Sequence, residues 1–277
     1  LTYSYCDDDK IRIRYKSDFS LFQPYIDNNG YSDSWGLSGD AIIISKASTP
    51  RISFTSLKKD SYGGLVSRNS YKVKDWRSDF QLSIKNANEG SIGIWLTKEK
   101  VISGTGFVGG NTNNEFTGTV VFLNLEKIPN VKNPRSIGVA TSFGDSDINI
   151  KFANKINITE VSIIRLQYFN NVLSIYYGDD IKRLNLIGSI TDIYYDPSYY
   201  LSITGKNTKQ DGVFLKGITT SILSSSPRTS TKMDDDEDHK SGSSYVWIIF
   251  VFVLAGVGVF LYRQNAVKNT KQKSLRY

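Results

Sequence analysis

The side chains best suited to nucleophilic or metal chemistry are almost missing from this sequence. Its 277 residues hold one histidine, His239, and one cysteine, Cys6. A Ser or Cys nucleophile needs an imidazole base beside it, and ordinary zinc sites need several Cys or His ligands. His239 lies in an acidic, Ser-rich stretch where it reads as a solvated linker residue, so neither arrangement can form within a folded domain. Two carboxylates alone can hydrolyse a glycoside, yet no strand-like segment carries acids at alternate positions. A carbohydrate-active enzyme is thus a remote reading, and the chain is expected not to be an enzyme. Gly104, Gly106, Gly109 and Gly110 lack the Lys-Ser/Thr and helix start of a phosphate loop. They read as a surface loop. Asn157-Ile158-Thr159 is the single N-glycosylation sequon and fits a luminal domain. A lone Cys6 excludes an intrachain disulfide and leaves open a free thiol or a bridge to another chain.

The formal net charge is +7, a value that suggests nucleic acid until the charges are placed. Arg263, Lys268, Lys271, Lys273 and Arg276 carry five of those charges at the C-terminal end, leaving +2 upstream. There the basic residues alternate with acids and make no stripe, so nucleic acid is excluded as a partner.

The elements that could position a binding site are strands. Hydrophobic residues make up 39% and aromatics 13%, with 17 Tyr and 14 Phe, and such side chains suit a pleated, half-buried surface. Short runs at 41–45, 79–84, 91–96, 119–125, 148–152, 199–204 and 213–223 are punctuated by Gly, Asn, Asp and Pro. The clearest unit is 161–177. Ile164, Leu166 and Tyr168 alternate in one direction, as do Leu173, Ile175 and Tyr177 after an Asn170-Asn171 turn. Outside the C-terminal apolar segment no 3.6-residue stripe lasts three turns. The expected class is all-β, a sandwich or barrel.

Residues 245–262 (YVWIIFVFVLAGVGVFLY) are continuously apolar or aromatic. Eighteen residues at about 1.5 Å rise cover roughly 27 Å, enough for a transmembrane helix. Asp234, Asp235, Asp236, Glu237 and Asp238 precede it and only basic charges follow, so the positive-inside rule predicts a single-pass type I protein with a cytosolic tail. The short span suits the thinner endoplasmic reticulum bilayer. Leu1 in place of Met fits removal of a signal peptide, although a chain cut there for another reason would look the same. The expected organisation is an N-terminal segment 1–16, a luminal domain 17–223, a disordered acidic and Ser-rich stalk 224–244, the span 245–262 and a basic tail 263–277.

Several segments, in order, carry a family resemblance. Ser20-Leu21-Phe22-Gln23-Pro24-Tyr25 resembles the Ser-Leu-x-x-Pro-Tyr opening of the L-type (legume-like) lectins, closest to the vesicular integral-membrane lectins. Trp35, Gly39 and the Ser48-Thr49-Pro50 neighbourhood follow at suitable intervals. Gly63-Gly64-Leu65, Asp75-Trp76 and Phe80 are similar to the next family segments. The most specific stretch is 90–109 (GSIGIWLTKEKVISGTGFVG), which resembles the family's Asp-Gly-x-Ala-x-Trp-Tyr-Thr strand and following loop. Residues 118–124 (GTVVFLN) are similar to its next strand. The resemblance implies a concanavalin-like antiparallel β-sandwich that binds high-mannose glycans with calcium. It also implies a cargo receptor that carries glycoprotein cargo between endoplasmic reticulum and Golgi. The alternative is a lectin-fold membrane adaptor that binds protein partners without sugar.

The implied site departs from the family pattern. The family's sugar-contacting Asp falls on Gly90, with Glu89 next to it, and its calcium-binding Asp falls on Asn124. A second calcium ligand would be Asn130 if two residues are inserted, and the calcium-linked His has no counterpart. Calcium affinity rises with ligand charge and number, so calcium is expected to bind weakly at a partly degenerate site. The tail lacks a dilysine retrieval signal, since Ser274 and Leu275 occupy the positions it needs. Its Leu275-Arg276-Tyr277 end resembles tails that load family members into vesicles through coat components. The plainer reading is that the basic residues fix topology.

Overall fold

Alternation of apolar and polar side chains gives segments such as 161–169 and 172–178 one face to bury, and the chain satisfies this with two antiparallel sheets packed face to face. The computed structural model describes residues 11–26, 32–45, 50–55, 60–84, 90–124, 135–145, 147–193, 195–207 and 212–225. One sheet contains β1 (Ile11–Tyr15), β3 (Ile42–Ile44), β4 (Arg51–Ser53), β6 (Trp76–Ile84), β11 (Val161–Phe169), β12 (Val172–Gly178), β13 (Asn185–Ile190) and β15 (Val213–Ser225). The other contains β2 (Trp35–Gly39), β5 (Tyr62–Ser67), β7 (Ser91–Thr97), β8 (Thr117–Asn124), β9 (Ser136–Phe143), β10 (Asn149–Lys155) and β14 (Tyr200–Lys206). Among the described residues the eight-stranded sheet runs β13-β12-β11-β6-β15-β4-β3, with β1 beside the end of β15. The seven-stranded sheet runs β10-β9-β8-β7-β14-β5-β2. The all-β sandwich expected from the sequence is what the chain forms.

Late strands close both sheets. β14 inserts between β7 and β5, and β15 between β6 and β4, so residues more than a hundred positions apart become neighbours. The Asn170-Asn171 turn forms as expected, with φ of 50° and 63°. Two successive positive φ values match the right-handed twist of a hairpin, and Asn tolerates them. The strand expected at 79–84 starts three residues earlier, at Trp76. The sheet also takes in Ile11–Tyr15, upstream of the expected start at Ser17, because Ile11 pairs with Ser225 and Tyr15 with Ser221.

The core between the sheets centres on Trp76, fully buried, with Tyr71 edge-on at 5.1 Å and Tyr168 and Tyr195 at 6.3 and 6.0 Å. A buried hydroxyl chain runs through this core. Tyr71 and Ser78 are 2.6 Å apart, Ser78 and Thr220 2.8 Å, and Thr220 donates to the Phe19 carbonyl at 3.0 Å. Each hydroxyl is thereby satisfied inside the sandwich. Burial raises the Tyr71 pKa well above the ordinary phenol value, keeping it a neutral hydrogen-bonding group. On the opposite face of β6, Asp79 accepts a two-pronged bond from Arg165 at 2.6 and 3.0 Å.

Among the described residues no helix is long and apolar enough to cross a membrane. Segment 245–262, the tail and the stalk from 226 on lie outside those residues, whereas Ser224 and Ser225, expected in the stalk, end β15 and pair with Arg12 and Ile11.

Candidate functional site

The antiparallel register of the seven-stranded sheet places six polar side chains in one row. Tyr62 pairs with Lys206, Lys206 with Ser91, Ser91 with Asn124, Asn124 with Ser136, and Ser136 with Lys155. Directly opposed residues share a face, and residues two apart on one strand share it too. The row therefore lies on the same face as Trp95, Val120, Phe122 and Thr204. That face points away from the sandwich core, where Ile92, Ile94, Leu123 and Ile137 pack. Ser91, Asn124 and Ser136 are buried, Tyr62 and Lys206 half-buried, and Lys155 exposed.

Backbone geometry fixes the end of the row. Gly90 has φ +102°, and a Cβ there would stand 2.5 Å from the Lys206 carbonyl oxygen. Only glycine fits. Asn207, fully buried, accepts from the Ser61 N–H at 3.1 Å and the Ser61 hydroxyl at 2.8 Å, and its own N–H donates to the Ser61 carbonyl at 3.2 Å. These bonds clamp β14 to the start of β5. At the β2 edge the Tyr62 N–H donates to Asp40 at 3.1 Å.

Above the same face lies the Gly-rich loop after β7. Trp95 Nε1 donates to Thr204 Oγ1 at 2.7 Å, and that hydroxyl donates to the Val108 carbonyl at 2.8 Å. Val108 is held at φ 41° and ψ 37°, a left-handed conformation that costs a β-branched residue energy. A Cβ at Gly110 would meet the Trp95 ring at 2.6 Å, and one at Gly109 would meet Gly205 at 3.0 Å. The loop thus sits flat against β7 and β14. Beneath it Trp95 and Phe116 meet edge-on at 5.1 Å, and Phe107 and Phe122 at 5.5 Å. Together with Val101, Val108, Val120 and Ala140 they form a small second core.

Of the residues implied by the resemblance, Gly90 and Asn124 come together at one end of adjacent strands, through the Ser91–Asn124 pair. Glu89 and Asn130 lie outside the described residues, as do Leu275 and Tyr277. Asn157 is exposed in the loop after β10 and lines a cleft of about 310 Å³ with Lys155, Thr159, Tyr177, Asp179 and Asn185. Burial pushes the Tyr177 phenol above its ordinary pKa, opposed by its bond to Ser162 at 2.7 Å. Sequence reasoning missed Ser91, Ser136, Lys206 and Thr204 as site residues. Each ends or interrupts an apolar alternation, a weak signal until the register is known.

Calcium prefers six to eight hard oxygen ligands, several of them carboxylates. The described part of the row offers the Asn124 amide and the Ser91 and Ser136 hydroxyls, with lysines at both flanks. Among the described residues no three His, Cys, Asp or Glu side chains cluster. By themselves these neutral donors do not fit calcium.

Two facing antiparallel sheets, with a polar row on the outer face of one and a Gly-rich loop seated beside it, define a lectin-type β-sandwich. The chain belongs to the legume-like lectin family, whose pattern matches residues 12–214. Among solved structures it resembles the VIP36 exoplasmic/lumenal domain in its Ca²⁺/Man3GlcNAc-bound form, with 18% identity, a TM-score of 0.62, and coverage of 76% of this chain and 90% of that one. A legume lectin-like domain from Entamoeba histolytica matches with 17% identity, a TM-score of 0.60 and coverage of 76% and 99%. The potassium-bound Emp46p carbohydrate recognition domain matches with 15% identity, a TM-score of 0.60 and coverage of 75% and 98%. At these identities the likeness concerns the fold. No curated protein matches the sequence directly.

Proposed function

We propose that this chain is a membrane-anchored lectin that captures glycoprotein cargo bearing high-mannose glycans and carries it between endoplasmic reticulum and Golgi. The observation that carries the reading is the row Ser91–Asn124–Ser136, which sits beside Gly90 at one end of a legume-lectin sandwich. Neutral amide and hydroxyl groups side by side in one row suit sugar hydroxyls, which both donate and accept. VIP36, a structural relative, has been solved with Man3GlcNAc. The neutral Asn124, in the place the family gives to Asp, supports binding with little calcium dependence. The apolar segment 245–262, flanked by acids before and bases after, supports a single-pass type I topology with the domain in the lumen. An exposed Asn157 supports glycosylation of that domain.

A lectin-fold adaptor that binds protein without sugar is the second reading. It is favoured by the lysines at both flanks of the row and by the absence of a carboxylate from the row's described residues. Glycan-array binding by the purified full chain separates the two. Selective capture of high-mannose structures supports the lectin, and no glycan bound under any condition supports the adaptor. In the tail, Leu275 and Tyr277 form the proposed export signal that engages vesicle coat. Tyr277→Ala is then expected to hold the protein in the endoplasmic reticulum, whereas a Lys271→Ala/Lys273→Ala double variant is not. Golgi arrival of the Tyr277 variant leaves the basic tail a purely topological role.

A further inference from the structure

On the outer face of the seven-stranded sheet, the Thr204 hydroxyl is used in both directions at once. Thr204 is fully buried on β14, two residues before Lys206 of the polar row. Its oxygen accepts from the Trp95 indole at 2.7 Å and donates to the Val108 carbonyl at 2.8 Å. Only a hydroxyl can do both from this position, since valine has the same shape without donor or acceptor. Through it three elements are tied together: β7, β14 and the Gly-rich loop.

The point where Thr204 grips the loop is also where the loop is strained. Val108 stands at φ 41°, outside the comfortable range of a β-branched residue. Gly109 follows it and Gly106 lies two residues before it, so the backbone close by can relax into other conformations. The loop's internal bonds, Gly104 N–H to the Gly109 carbonyl at 2.9 Å and Gly110 N–H to the Phe107 carbonyl at 2.9 Å, shape it but do not fasten it to the sheet. The Trp95–Thr204–Val108 relay does. It seats Gly109 against Gly205 and the Lys206 side chain, at the end where Gly90 and Asn124 lie. Strain held by specific surrounding bonds is a mark of a site kept in one shape for binding.

We propose that Thr204 is the positioning residue of the glycan site: its hydroxyl locks the Val108 segment over the polar row, and ligand affinity depends on that lock. The role rests on the lectin reading above. Thr204→Val keeps the volume and removes both bonds, while Thr204→Ser keeps the hydroxyl.

The test compares wild type, Thr204→Val and Thr204→Ser as purified full chains. Affinity for a Man3GlcNAc-type oligosaccharide is measured beside amide hydrogen exchange across 104–110. Thr204→Val is expected to weaken binding by about tenfold or more, as for one to two buried hydrogen bonds lost, and to speed exchange in the loop selectively. Thr204→Ser is expected to restore both. A purely structural role would lower the melting temperature and leave the affinity of the folded protein unchanged. Wild-type affinity in Thr204→Val, or equal losses in Thr204→Val and Thr204→Ser, overturns the assignment. If wild type itself binds no such oligosaccharide, the lectin reading fails and this role fails with it, a result distinct from the previous one.

Discussion

The molecule holds two hydrophobic clusters of different character. The large one lies between the sheets, where side chains from strands far apart in sequence meet around Trp76. The small one lies on the outer face of the seven-stranded sheet, beneath one loop, and contains Trp95, Phe116 and Phe122. In the first, Tyr71, Ser78 and Thr220 form a hydroxyl chain inside the core. In the second, a single hydroxyl connects a tryptophan to the strained backbone of the covering loop. The large cluster specifies the sandwich. The small one specifies where the Gly-rich loop rests, and with it the geometry beside the polar row. On the proposed reading, stability and binding depend on different residues, those between the sheets and those on the outer face of the seven-stranded sheet.

Substitutions in the two clusters should separate these roles. Trp76→Ala empties the centre of the large core and is expected to cost about 3–5 kcal/mol, read as a fall of roughly 10 °C or more in melting temperature. Binding by whatever remains folded should be unchanged. Phe116→Ala removes the ring packed on Trp95. Its cluster is shallow and can collapse, so about 2–3 kcal/mol is expected, with weaker glycan binding as the distinguishing result. A Phe116 variant with intact affinity would erase the contrast between the clusters. Gly90→Ala forces a side chain against the Lys206 carbonyl at a φ of +102°, with an expected cost of about 1–3 kcal/mol. Its effect on binding should exceed its effect on melting. Asn124→Asp changes the volume least but sets a carboxylate at a buried position. It supplies the carboxylate that calcium favours, so added calcium should raise its melting temperature by more than that of wild type. An equal response in both proteins would show that Asn124 is not at a metal position.

Local pattern made part of this legible from sequence. The β11–β12 hairpin was readable because alternation and turn chemistry agree within seventeen residues. The strands around Trp95 and Phe122 do not alternate and were readable as short apolar runs bounded by Gly and Asn. β1 was not: Ile11-Arg12-Ile13-Arg14-Tyr15 alternates strictly, but it is short, four of its five residues are exposed, and it owes its place to β15, two hundred residues away. β5 begins Tyr62-Gly63-Gly64, a pairing that propensity disfavours and that close packing on Phe54 requires. Of the residues of the proposed site, Gly90 and Asn124 were expected from the resemblance. Lys206, Ser136 and Thr204 could not, because the row exists only once β14 slides between β7 and β5. Register is a tertiary fact, and short motifs do not encode it.

The central claim is that a legume-like lectin sandwich with a largely neutral site binds high-mannose glycans without strong need of calcium. Its most direct test is the affinity of the purified full chain for a high-mannose oligosaccharide, measured in calcium and again in excess chelator. The account predicts measurable binding in calcium and a loss of less than about threefold on chelation, below roughly 0.7 kcal/mol. Strong binding abolished by the chelator would contradict it, placing a charged metal site where neutral donors are proposed to act. Absence of binding in both conditions would contradict the lectin reading itself.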